Sequence, residues 1–136
     1  MPDPDNYCIL LAEDDEIVRY LAARALSQRG YCVLQARDGA EALRLEREYD
    51  GIIHVLVTNV RMPNINGHDL ARELKRKRPD LKILIVSAEA EDDFPLEAYN
   101  HDFALLKPVT SAELIDNVER LLRQRGDAPP AANSIN

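Results

Sequence analysis

Only two cysteines, Cys8 and Cys32, occur in the chain, too few for a disulfide framework, and no Cys-x-x-Cys or Cys/His cluster has zinc-ligand spacing. Both read as buried thiols that pack as small hydrophobes. The five glycines, Gly30, Gly39, Gly51, Gly67 and Gly126, make no phosphate-cradling loop after the first apolar run. Long hydrophobic runs are missing as well: the stretches 8–12 and 83–86 are far too short to cross a bilayer. The opening Met-Pro-Asp-Pro-Asp lacks the basic start and apolar core of a secretory signal. Positive charge is scarce. Seventeen Lys and Arg stand against 24 Asp and Glu, and the formal charge of −7 repels phosphate backbones and anionic membranes. A cytoplasmic protein that binds neither nucleic acid nor membrane directly is the expectation.

What is present fits one globular domain. The chain has 136 residues, 46% hydrophobic and 30% charged. Apolar runs of strand length alternate with segments of helical period. Residues 7–12 read as a strand, and Val18, Leu21, Ala22 and Ala25 at i, i+3, i+4, i+7 as the inward stripe of a helix that Gly30 stops. A second strand follows at 32–36, then a short helix capped by Asp38 through Ala42, Leu43 and Leu45, ending near Asp50-Gly51. The third strand is predicted at 52–58, followed by a turn-rich loop over 59–67. Leu70, Ala71 and Leu74 mark a helix with a basic outer end, stopped by Pro79. Strands four and five are predicted at 82–86 and 103–106. Between them, residues 88–102 carry six carboxylates and no Lys or Arg. A short, mobile helix is expected there, read as a solvated segment, with a surface for a basic partner as the alternative. Thr110 and Glu113 form a capping box ahead of the last helix, which carries Leu114, Ile115, Val118, Leu121 and Leu122. Residues 1–6 are a short lead, 7–125 the domain, and 126–136 a disordered tail. The pattern predicts an α/β three-layer sandwich: five parallel strands and five helices.

In such a sheet, ligands gather beyond the carboxyl ends of the strands. There stand Glu13-Asp14-Asp15-Glu16, Asn59, Ser87 and Lys107-Pro108. In the strand order 2-1-3-4-5 these four ends converge on one shallow pocket. Clustered carboxylates suit a hard cation such as Mg²⁺, with Glu13 and Asp14 as the pair, although an acidic run at this place also serves to cap a helix, the role read for Asp15 and Glu16. Lys107 suits a phosphoryl oxygen or an ion pair with the acids, and Ser87 a ligand hydrogen bond. His54, His68 and His101 pair with no nucleophile or ligand set and read as surface or satisfied core groups.

The run Ile-Leu-Leu-Ala-Glu-Asp-Asp-Glu over 9–16, the loop Val-Thr-Asn-Val-Arg-Met-Pro-Asn-Ile-Asn-Gly over 57–67, the pair Ser87-Ala88 and the ending Leu-Leu-Lys-Pro over 105–108 resemble the receiver domain of two-component response regulators. The likeness covers about residues 7–125, and it implies a flavodoxin-like fold of a phosphorelay signalling module that is not an enzyme. It further implies that Glu13 and Asp14 hold Mg²⁺ with the backbone carbonyl of Arg61. Ser87 and Ala88 would border the phosphoryl group, and Lys107 would pair with it, next to a Lys107–Pro108 bond that is often cis. Partners implied are a sensor histidine kinase or phosphotransfer protein and a downstream protein; a homodimer is left open.

One position departs from the pattern. The phosphoacceptor of the family is Asp, and here it is Asn59. Phosphoryl transfer needs an anionic oxygen in line, and an amide supplies none. Loss of one negative charge should also weaken Mg²⁺ and free Lys107 to pair with Asp14 or stay solvated, with Asn59 itself at most a weak ligand. The leading reading is a receiver that signals through protein contacts without phosphate at 59. The alternative is an ordinary receiver carrying an introduced Asp-to-Asn replacement; a flavodoxin-like cofactor binder or phosphatase fits least. A second departure is Ala104, where the family carries a switch aromatic. Phe103 beside it should point to the opposite face of the sheet.

Overall fold

The computed structural model describes residues 7–88 and 101–126. Five parallel strands, β1 (Cys8–Ala12), β2 (Cys32–Ala36), β3 (Val55–Asn59), β4 (Lys82–Ser87) and β5 (Phe103–Leu106), form one sheet in the order β2-β1-β3-β4-β5. Helices α1 (Glu16–Gln28), α2 (Gly39–Glu48), α3 (Gly67–Lys77) and α4 (Ser111–Arg125) cover its two faces. The helix expected between β4 and β5 falls on 89–100, outside the described residues, as do the lead and all but the first residue of the tail. The predicted sandwich and strand order are therefore the observed ones, with four helices among the described residues.

Apolar alternation is weak in β1, β3 and β4 because each is covered on both sides. One core, on the α2/α3 face, gathers Leu10, Leu56, Leu70, Leu74, Ile83 and Ile85; the other, on the α1/α4 face, gathers Ile9, Leu26, Val57, Leu84, Val118 and Leu121. Phe103 packs in the second core and Ala104 against the first, so the two do face opposite ways. The Arg120 guanidinium lies 3.7 Å from the Phe103 ring centroid and fixes that ring on the α4 side.

The helix starts follow the capping chemistry. Asp15, Asp38 and Thr110 accept from the first-turn amides of α1, α2 and α4, and the Thr110–Glu113 capping box is complete. Gly30 ends the α1 segment at φ 97, in the left-handed region open to glycine.

Three expectations need correction. The third strand starts at Val55 rather than 52, because Ile52 is 61% exposed and the preceding Gly51 carbonyl is held by Arg78 at 3.0 Å. Cys32 is only half-buried because β2 is a sheet edge, while Cys8 is buried; burial, with Cys32 beside it, pushes the Cys8 thiol up to about 12. The third concerns α1, whose buried residues are Ala23 and Leu26, with Arg19 and the predicted Ala22 and Ala25 half-buried, whereas Val18 and Leu21 are exposed. The stripe is turned by one residue, about 100° around the axis. A charged residue at its first position hid it: Arg19 lies along the inner face and donates to the Glu13 carbonyl at 2.9 Å.

Candidate functional site

Each functional side chain stands just past a strand because the sheet is parallel and the central strands end together. Ala12 lies opposite Thr58, Asn59 opposite Val86, and Ser87 opposite Leu106. Glu13, Asp14, Asn59, Ser87 and Lys107 are thereby brought to one end of the sheet. The β3–α3 loop is pinned behind them. Val60 N–H donates to the Val86 carbonyl at 3.1 Å, and Gly67 N–H to the Val60 carbonyl at 2.8 Å. A Cβ on Gly67 would sit 2.2 Å from the Asn59 carbonyl oxygen, so only glycine lets α3 start this close to the end of β3.

The acidic run divides its labour. Glu13 is buried, and its carboxylate is satisfied twice: Oε1 pairs with Lys107 Nζ at 3.1 Å, and Oε2 accepts from Asp15 N–H at 2.9 Å. Asp15 caps α1, as read, and Glu16 occupies its first turn. Asp14 is exposed, and its Oδ1 accepts from Asn59 Nδ2 at 3.2 Å; the same Nδ2 donates to the Arg61 carbonyl at 2.9 Å. Both acceptors lack a proton, so the amide nitrogen is the atom that faces them. Lys107 thus pairs with Glu13, not with Asp14 and not with water alone as expected. A buried carboxylate needs a counter-charge, and the exposed Asp14 keeps its own in solvent.

Lys107–Pro108 is cis, as the resemblance implied. Lys107 N–H donates to the Ser87 carbonyl at 2.7 Å and ties the ends of β4 and β5 together. Ala88 follows on the exposed rim.

Sequence reasoning missed the ground beside this cluster. A cavity of about 490 Å³ opens between α1 and the start of α4, floored by Leu11, Val57 and Val86 and walled by Val18, Leu21 and Leu114. Asn59 and Lys107 stand at its edge. Ile17, at 70% exposure, and Tyr20 extend the apolar surface outward along α1. The signal was present in the four apolar residues crowded into 17–21, more than one inward stripe accommodates.

Residues 9–119 match the response regulator receiver domain. The chain belongs to that family. Among similar proteins, the sensor kinase CckA of Brucella abortus is 38% identical over 122 residues, covering 86% of this chain and 13% of the kinase. The response regulator receiver protein CpdR of the same organism is 34% identical, covering 84% of this chain and 95% of CpdR. The solved response regulator TrrA of Thermotoga maritima, in complex with Mg²⁺–BeF, superposes with a TM-score of 0.73 at 29% identity, covering 85% of this receiver and 99% of TrrA. The chain thus spans nearly the whole length of CpdR but only a small part of the sensor kinase.

TrrA was solved with Mg²⁺–BeF bound. The donor set here suits such an ion in kind: a carboxylate on Asp14, a carbonyl on Arg61 and the amide oxygen of Asn59 are all hard oxygen donors. In position, the Asn59 nitrogen already engages two of them. Among the described residues no helix is long and apolar enough to cross a membrane.

Proposed function

We propose that this receiver acts in a two-component phosphorelay by protein contact and takes no phosphate at residue 59. The observation that carries the reading is chemical: the side chain at the end of β3, bonded to Asp14 and lining the same cavity as Lys107, is a carboxamide. Its nitrogen lone pair is delocalised into the carbonyl and its oxygen is uncharged, so no nucleophile is available for an acyl phosphate. The domain is a binding module, not an enzyme, and it works in the cytoplasm.

Glu13, Asp14 and the Arg61 carbonyl would hold Mg²⁺, which when bound supplies positive charge against anionic oxygens. With Asn59 in place the affinity is lower than an aspartate would give, because one negative charge is missing. Ser87, Ala88, Lys107 and Pro108 would border an anionic group there, Lys107 and Pro108 from the lining of the cavity. Lys107, half-exposed and anchored by Glu13, holds its charge at that spot.

The partner surface is the apolar flank of α1 with the cavity beside it. Ile17, Val18, Tyr20 and Leu21 present apolar side chains at helical spacing next to Asn59 and Lys107. That layout suits the amphipathic helix of a sensor kinase or phosphotransfer protein laid across the groove, with the downstream protein reading the same domain elsewhere. The similarity to a receiver contained within a sensor kinase supports a partner of this kind.

The test is direct. The wild-type chain and Asn59→Asp are incubated with acetyl phosphate and Mg²⁺ and followed by intact mass and peptide mapping. Wild type is expected to gain no phosphate at residue 59, and the variant to gain one. Phosphate mapped to residue 59 of the unaltered chain overturns the reading.

A further inference from the structure

The Asn59 amide does more than fail as a nucleophile. Its nitrogen sits between Asp14 Oδ1, 3.2 Å away on the β1–α1 loop, and the Arg61 carbonyl, 2.9 Å away on the β3–α3 loop. These are two of the oxygens to which the site reading assigns a cation. We propose that the carboxamide is a built-in substitute for the divalent ion, clasping the two loops together so that the receiver holds its metal-bound arrangement with no metal.

Charge and geometry both support the substitution. Glu13, Asp14 and Lys107 together leave one negative charge at the site. A carboxylate at residue 59 would make two and would face Asp14 as a like charge, which calls for a cation between them. The amide reverses this local logic by presenting two N–H donors where a carboxylate presents only acceptors. One of its bonds goes to an ionised acceptor, the stronger kind. Any Mg²⁺ that enters must break both bonds and gains less Coulomb attraction than in a site carrying the second charge.

The loop beyond depends on the clasp. Arg61 leads into the turn where Ile65 N–H donates to the Pro63 carbonyl at 2.8 Å and Asn64 adopts φ 74, and Gly67 N–H closes it on Val60 at 2.8 Å. The amides of Ile65 and Gly67 therefore report whether the loop is held.

The inference rests on the reading of the site as a receiver pocket, and its test separates the two. Hydrogen exchange at Ile65 and Gly67 is measured by NMR in EDTA and in millimolar Mg²⁺ for wild type, Asn59→Ala and Asn59→Asp. The buried amides of Leu10 and Leu56 are the reference for global opening. In wild type, exchange is expected to be equally slow with and without Mg²⁺. In Asn59→Ala and metal-free Asn59→Asp, it should speed up about tenfold or more relative to the reference, the loss of roughly one charge-assisted bond. Mg²⁺ should restore the slow rate in Asn59→Asp. Asn59→Ala matching wild type in EDTA, or wild-type exchange slowing on Mg²⁺ addition, overturns the proposal. Phosphorylation of Asn59→Asp by acetyl phosphate in the same samples shows the receiver pocket intact whichever way the exchange falls, so loss of the clasp alone is recognised as such.

Discussion

Helices α1 and α3 are built from similar materials and put them to opposite use. In α3 the predicted inward residues Leu70, Ala71 and Leu74 are all fully buried, and apart from the buried His68 the charged side chains lie toward the outer face. In α1 the large apolar residues Val18 and Leu21 lie outside, Leu21 at 55% exposure, and two small alanines and Leu26 make most of the contact with the sheet. The α3 pattern is that of a helix whose large apolar side chains are all buried against the sheet. The α1 pattern leaves apolar side chains exposed beside Asn59, and this difference is what supports the proposed contact surface there.

Substitutions on the two helices sharpen the contrast. Leu74→Ala should cost the most, about 2–5 kcal/mol by urea unfolding, since the side chain is fully enclosed between α3 and the sheet. Gly67→Ala comes next, at about 1–3 kcal/mol, because the new methyl meets a backbone carbonyl rather than a side chain able to move aside. Leu21→Ser should change stability by no more than about 0.5 kcal/mol, yet weaken binding to a cognate kinase or phosphotransfer protein by calorimetry. A Leu21→Ser protein as unstable as Leu74→Ala would erase the distinction between the helices.

A milder probe uses pH. His68, buried in the first turn of α3, has its imidazole held below the usual value, chiefly by burial and then by His101. The unfolded chain therefore binds the proton more readily, so stability is full above about 6.5 and declines as pH falls below it. His68→Leu should flatten this part of the profile. Unfolding midpoints between pH 5 and 8 would show it, and a profile identical in both proteins would remove His68 as the cause.

Much of this was legible in the sequence. Strand order, the Asp15, Asp38 and Thr110 caps, and the placing of Glu13, Asp14, Asn59, Ser87 and Lys107 past strand ends on one side of the sheet followed from periodicity, turn chemistry and the receiver-like motifs. The facing of α1 was not legible, because stripes starting at residues 18 and 19 have the same spacing and the true one begins with an arginine. Which acid would take Lys107 was hidden too. That choice depends on burial, and Glu13 and Asp14 are alike in composition but opposite in exposure. Nor does spacing announce that an amide nitrogen would turn toward two oxygens; only their positions in space decide it.

The bare flank of α1 belongs to a molecule whose formal charge is −7. Two copies that approach through it meet mutual repulsion reaching about 8 Å at physiological ionic strength. An unlike molecule with a neutral or basic surface meets none. Overall electrostatics thus acts as a filter on a sticky spot, favouring foreign company over self-encounter, and the filter weakens as salt rises.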